Sequence, residues 1–231
     1  ARLAMVDGKV GRFGWKAEQP TVLSQTIAAL NNDIGVKTVS SPNSDCKGSS
    51  CADGKGLLFD PAMNDVNTYL SLLAVPPRPF PESEDVMNGS LLFSRIGCAS
   101  CHVPSMKTGE SSFAELSNQE IQPFTDLLLH DMGEGLSDDM GRKWRTVPLW
   151  GYAIKRASTD ARTSQFAPGD ISILWRDTWK AVESNGYEML HDGRARNLKE
   201  AILWHGGEAD AAKQAFISLD SNERADLIKF L

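Results

Sequence analysis

The sequence predicts a predominantly α-helical protein. Three observations carry that expectation. Apolar residues recur at helical spacing in several separate segments, and no alternating run is long enough to specify a strand. Between the helical segments lie long stretches rich in Gly, Ser, Asn and Asp, which read as loops. The 231 residues suffice for one large domain or two smaller ones. Their 41% hydrophobic and 23% charged content is globular, which excludes wholesale disorder, collagen and coiled coil. With 24 Lys+Arg against 30 Asp+Glu the chain is acidic, at −6, and has no basic stripe, so nucleic acid is not an expected partner. No run of apolar residues is long enough for a transmembrane helix.

The elements follow in order. Gly11-Arg12-Phe13-Gly14-Trp15 leads to Pro20, which suits a first helical turn, and then to a helix with Val22, Leu23, Ile27 and Leu30 on one face. Residues 31–58 read as loop and contain Cys46 and Cys51. A second helix starts at Asp60-Pro61 and carries Val66, Tyr69, Leu70 and Leu73. Four prolines within Pro76–Pro81 make a stiff linker, here bounded as 76–85, and set a domain boundary. A third helix, Val86 to Ile96, places Leu92, Phe93 and Ile96 on one face. Residues 103–190 are expected to be loops with short helices, and helices return at Leu198–Trp204, Ala209–Ile217 and Ser221–Leu231. The chain opens Ala1-Arg2-Leu3 without an initiator Met, and the last helix stops without a cap. Both ends are expected to be cut, by removal of a leader or as part of a longer protein.

The third helix runs straight into Cys98-Ala99-Ser100-Cys101-His102. This C-x-x-C-H pattern is the attachment site of a c-type haem: two thiols add across the vinyl groups, and the adjacent His sits under the iron. A thioredoxin-type pair needs a βαβ setting that is missing here. A zinc site needs a second ligand pair, for which Cys46 and Cys51 are poorly spaced; a structural disulfide is the remaining alternative. The helix before the motif, with Phe93 inward, and the closing helix 221–231 are the pair that cytochrome c folds cross. Covalent haem is fitted outside the bacterial cytoplasm, so the expected location is periplasmic, or extracytoplasmic with a surface anchor in a missing N-terminus. The other axial ligand decides between electron transfer and open-site chemistry. Spacing alone leaves His130, His191, His205, Met106, Met132, Met140 and Met189 as candidates.

A resemblance narrows the choice. Tyr187-Glu188-Met189-Leu190-His191-Asp192-Gly193-Arg194-Ala195 through Leu198 and Ala201 resembles the HDGRA segment of bacterial di-haem cytochrome c peroxidases. Arg145-Thr146-Val147-Pro148-Leu149-Trp150-Gly151 resembles the stretch before it. Gly11 to Ala17, Asp126 to Gly133 and Trp204-His205-Gly206-Gly207-Glu208-Ala209 are similar to the di-haem oxidoreductase branch, often labelled "thiol oxidoreductase". The resemblance implies a distal ligand fourteen residues after the His of HDG, which is His205. It thus implies a His102/His205 haem, with Met132 as the alternative ligand. His191 would lie near a propionate, with Arg145 and Arg194 as propionate partners. At His205 the helical stripe of Leu198, Ala201 and Ile202 continues, pointing its ring inward.

Arg12-Phe13-Gly14-Trp15-Lys16-Ala17 loosely echoes His191 to Ala195, each block leading into an amphipathic helix. With the resemblance, residues 1–75 read as the rear part of a first cytochrome c-like domain whose own haem site is not in this sequence, and 86–231 as a cytochrome c domain with one covalent haem. Trp15 is a candidate inter-haem aromatic. Cys46 and Cys51 are expected to form a local disulfide; a thiol/disulfide enzyme using them is one alternative function. The acidic loop Asp126, Asp131, Glu134, Asp138 and Asp139 is a candidate contributor to the calcium that di-haem peroxidases hold. Residues 157–186, with Trp175 and Trp179, look like an insertion. The function expected is electron transfer within a peroxidase-type di-haem oxidoreductase, served by a small donor, a cytochrome c or cupredoxin. A plain, non-catalytic electron carrier is the other alternative.

Overall fold

The computed structural model describes residues 1–40, 60–75, 82–150 and 188–231. The chain divides into two compact units, Arg2–Ala74 and Val75–Leu231, the latter joined by Ala1. Helices dominate, as the apolar spacing predicts. The short strands were not foreseen: among the described residues there are six, of two or three residues each, too short to leave an alternation in the sequence.

In the first unit, β1 (Met5–Val6) pairs with β2 (Lys9–Val10) across Asp7-Gly8. Both turn residues have positive φ, at 48° and 76°, which is the geometry an Asp-Gly hairpin prefers. Helix α1 (Val22–Ile34) begins one residue later than Pro20 suggests. Its N-cap is Thr21, whose hydroxyl accepts from the Ser24 amide in a reciprocal capping box, and Gly35 closes it in the left-handed conformation. Helix α2 (Asp60–Leu72) packs against α1.

The second unit is built on α3 (Glu84–Arg95) and the closing helix α6 (Ser221–Phe230), which make its largest helix–helix contact. They run in opposite senses: Lys229 pairs with Asp85 at one end, and Arg95 with Glu223 at 2.6 Å at the other. Gly89 lets them approach, since a Cβ there would strike the Asp226 carbonyl and lie 2.6 Å from Phe230 Cβ. Val86, Leu92, Phe93, Ile96, Phe124, Leu227 and Phe230 form the core between them, with Phe216 and Leu219 from the α5 side. Helices α4 (Leu198–Leu203) and α5 (Asp210–Ser218) complete this unit's α structure among the described residues. Two antiparallel pairs tie down the loops: β3 (Met106–Lys107) with β4 (Glu120–Ile121), and β5 (Leu129–Asp131) with β6 (Lys143–Arg145).

Each unit contains the same loop-and-helix device. Phe13 and Gln19 form a doubly bonded antiparallel bridge, as do Met189 and Ala195. Within each loop the second and fifth residues have positive φ: Gly14 and Ala17, Leu190 and Gly193. Each loop then reaches an N-cap that accepts from the amide three residues on, Thr21 from Ser24 and Asn197 from Glu200. Phe13 and Met189, Gln19 and Ala195, and Thr21 and Asn197 all stand 176 residues apart. The weak repeat visible in the sequence is therefore present as geometry, but its register differs by two. Residue likeness matches Ala17 to Ala195, whereas bridge and φ pattern match Ala17 to Gly193.

Candidate functional site

The C-x-x-C-H motif is presented by a forced chain reversal. Helix α3 ends at Ile96, and Gly97 adopts φ 94°, a conformation that costs a residue with a Cβ. Cys98–Ser100 then makes a single tight turn, fastened by Ser100 Oγ donating to the Gly97 carbonyl at 2.7 Å and by the His102 amide donating to the Cys98 carbonyl at 3.0 Å. Both cysteines are free thiols. Burial pushes the Cys98 thiol up to about 11 and raises Cys101 as well, so both keep their protons at neutral pH.

His102 Nδ1 lies 3.0 Å from the Phe124 carbonyl oxygen. A carbonyl can only accept, so Nδ1 carries the proton and Nε2 keeps its lone pair. Phe124 sits in the left-handed region at φ 54°, between Pro123 and Thr125, whose amide is held by the Val103 carbonyl. Its ring packs edge-on against Phe93 at 5.9 Å, and Phe93 in turn lies 6.3 Å from the His102 ring. Burial pushes the His102 imidazole down to about 4. It is therefore neutral at pH 7, the state in which it can bind metal.

His205 repeats the arrangement. It follows α4, and its Nδ1 donates to the Ala201 carbonyl at 2.7 Å, again leaving the Nε2 lone pair. Burial lowers its pKa, with Lys213 adding to the effect. His205 adds a smaller contribution to the lowering of His102. Two imidazoles tethered at Nδ1, with two free thiols directly before His102, are a donor set suited to a covalently attached haem iron.

The HDMG and HGGE motifs, distant in sequence, interlock here. A Cβ on Gly207 would strike the Asp131 carbonyl, one on Gly206 would lie 2.9 Å from the Met132 carbonyl, and one on Gly133 would lie 3.0 Å from the Gly207 amide. Close backbone approach, and not turn formation alone, requires these glycines. At the centre is buried His130, with Nε2 2.8 Å from Asp126 Oδ2, and Nδ1 2.9 Å from Glu208 Oε2 and 3.6 Å from Cys101 Sγ. Both ring nitrogens thus face carboxylates. The Asp131 amide and His130 hold the Glu208 carboxyl below its usual range.

The other expected residues scatter around this cluster. His191 stacks on Trp144 at 3.7 Å between centroids, and the Trp144 indole donates to the Leu136 carbonyl at 2.5 Å. Arg194 pairs with Asp192, donates to the Gly135 carbonyl and lies over the Trp204 ring at 5.1 Å. Arg145 lies in β6 and donates to the Thr146 carbonyl at 3.4 Å. Met132 accepts no described role beyond its backbone, whose amide donates to Arg142. Trp15 is 45% exposed in the first unit.

The carboxylates of the acidic loop are spent locally. Asp126 meets His130, while Asp131 and Glu134 meet Arg142 at 3.2 and 2.7 Å. Asp138 accepts from the Met140 amide. Among the described residues no three His, Cys, Asp or Glu side chains converge to hold a metal ion. Cys46, Cys51, Trp175, Trp179 and the whole 157–186 stretch lie outside the described residues, as does the proline run. Sequence reasoning missed the Phe124 carbonyl and the Asp126–His130–Glu208 cluster. A carbonyl leaves no residue signature, and the cluster joins positions 78 residues apart.

A family model described as "Di-haem oxidoreductase, putative peroxidase" matches residues 6–166 and 172–231. Neither a search of curated proteins nor one of solved structures finds a match. Among the described residues no helix is long and apolar enough to cross a membrane.

Proposed function

Because the chain belongs to the di-haem oxidoreductase family, we propose that it transfers electrons through a c-type haem held by Cys98, Cys101, His102 and His205. The observation that carries this reading is the matched pair of imidazoles. His102 and His205 each give Nδ1–H to a backbone carbonyl, which leaves Nε2 for a metal, and His102 directly follows the two free thiols in the same turn. Bound there, haem supplies a one-electron ferric/ferrous couple.

The rest is the work of the chain. Cys98 and Cys101 would hold the haem covalently, each through a thioether made by addition of its S–H to a vinyl group. The Phe124 and Ala201 carbonyls orient the two imidazoles and make them better donors. With both His102 and His205 as ligands, this half would serve to relay electrons, with substrate chemistry elsewhere in the protein. Arg2–Ala74, which carries the second loop-and-helix device, is the rear part of a first cytochrome c-like domain in this reading. Trp15 in that loop is its aromatic relay, and Arg145 and Arg194 are the cations nearest the propionates. The donor is a small cytochrome c or cupredoxin, the location extracytoplasmic, and the reaction of the full-length protein of peroxidase type. Calcium rests on the family resemblance alone.

The test is the alkaline pyridine haemochrome of the full-length protein, with the intact mass of the polypeptide. A c-type spectrum and haem that survives acid-acetone extraction are expected, with one haem equivalent lost in a C98S/C101S double variant. Extractable haem, or an unchanged haem content in that variant, contradicts the reading.

A further inference from the structure

The ligand reading uses His102 and His205 and leaves a third, more deeply buried histidine unexplained. His130 is 6% exposed and touches three separate pieces of chain. Its Nε2 is 2.8 Å from Asp126 Oδ2 in the loop that follows Phe124. Its Nδ1 is 2.9 Å from Glu208 Oε2, three residues after His205, and 3.6 Å from Cys101 Sγ in the attachment turn. Glu208 is anchored a second time, its Oε1 accepting from the Asp131 amide at 3.0 Å. The glycines Gly133, Gly206 and Gly207 bring the two backbones into contact at this point, so the clamp has little slack.

We infer that His130 is a positioning residue for the distal ligand: by tying Glu208 to β5 and to the Cys101 turn, it fixes where His205 stands relative to the ring that Cys98 and Cys101 hold. The physical need is plain. Helix α4 has only six residues and makes few contacts with α5. A helix of that length is not rigid by itself. Its C-terminal side, where His205 sits, passes directly into Gly206-Gly207, the most permissive backbone in the chain. Without a fixed point beyond the glycines, His205 could swing away from the iron. The His130–Glu208 contact is that fixed point, and hydrogen bonds involving charged groups are the strong kind suited to it. The same contact reaches Cys101, so both faces of the site are referenced to one imidazole. Hydrogen bonds that hold a ligand from behind commonly decide how firmly it stays on its metal.

The inference rests on His205 being the ligand, and the experiment separates the two. The full-length holo-protein is compared with H130F, H130Q, E208Q and H205A by ferric optical and EPR spectra and by cyanide titration. H205A should be high-spin at this haem and bind cyanide readily. H130F should show a partial high-spin signal and a cyanide affinity raised roughly tenfold, as expected when one charge-assisted bond that held the ligand is lost. H130Q keeps one amide donor and should lie between H130F and the parent. E208Q preserves the shape of the clamp and reports on it if H130F does not fold; it should raise cyanide affinity in the same direction. Parent-like spin state and cyanide affinity in a folded H130F, or in E208Q where H130F fails to fold, overturn the positioning role. An unchanged low-spin spectrum in H205A overturns the ligand reading itself, and the clamp with it.

Discussion

Replacing Gly89 by Ala tests the packing on which the site is built. The added Cβ would meet the Asp226 carbonyl and lie 2.6 Å from Phe230 Cβ, against ordinary carbon contacts of about 3.5–4.0 Å. Neither obstacle is the far end of a flexible side chain. One is helix backbone, and the other is the root of a buried ring that packs on Phe93 at 5.3 Å. Helices α3 and α6 must therefore separate by roughly 1 Å, and overpacking of that kind costs about 1–3 kcal/mol. The obstacles are stiff, so we take the upper figure. Exchange of Gly for Ala in a helix returns about 1 kcal/mol. The net expectation is a loss of about 2 kcal/mol, or a fall in Tm of roughly 4–8 °C for a unit of this size. The assay is thermal denaturation of the holo-protein, with G109A as control, since a Cβ at Gly109 meets nothing and φ there is not positive. G109A should be neutral. A G89A protein as stable as the parent would refute the close helix crossing.

Further expectations concern the ligands. Burial lowers both the His102 and His205 pKa, His102 to about 4, so each imidazole is neutral well below the pH at which a free one protonates. A proton competes with iron for Nε2, and a depressed pKa weakens the competitor. The low-spin spectrum should thus persist from about pH 8 to about pH 5 and give way only near pH 4 or below; a transition between about pH 6 and 7 contradicts it. N197A removes the cap of α4, which accepts from the Glu200 amide at 2.9 Å. It should cost about 1 kcal/mol of stability and increase exchange of the α4 amides, read by hydrogen exchange. M132A should leave the ferric spectrum unchanged, and a shift to high spin would instead place the thioether on iron.

Much of this was legible in the residues, and for identifiable reasons. Helices α1, α3 and α6 announce themselves through long apolar stripes bounded by Thr21, Ser83 and Asp220. C-x-x-C-H is local, so its chemistry needs no tertiary information. The strands were invisible because two residues cannot show a period, although Asp7-Gly8 is a hairpin signal that deserved more weight. The register of the internal repeat was misread because residue likeness at Ala17 and Ala195 outweighed backbone conformation. The acidic loop looked like a cation site because carboxylates cluster there in sequence. In space Arg142 and His130 take up much of that charge. The two carbonyls that set the imidazole tautomers are the least legible of all, because every residue has one.

The central claim is a haem iron held between His102 and His205. Low-temperature near-infrared magnetic circular dichroism of the ferric full-length protein, compared with its H205A variant, reads the axial ligands directly. A bis-histidine charge-transfer band that disappears in H205A is the predicted result. A histidine–methionine band in the parent, or a bis-histidine band that survives H205A, would contradict it.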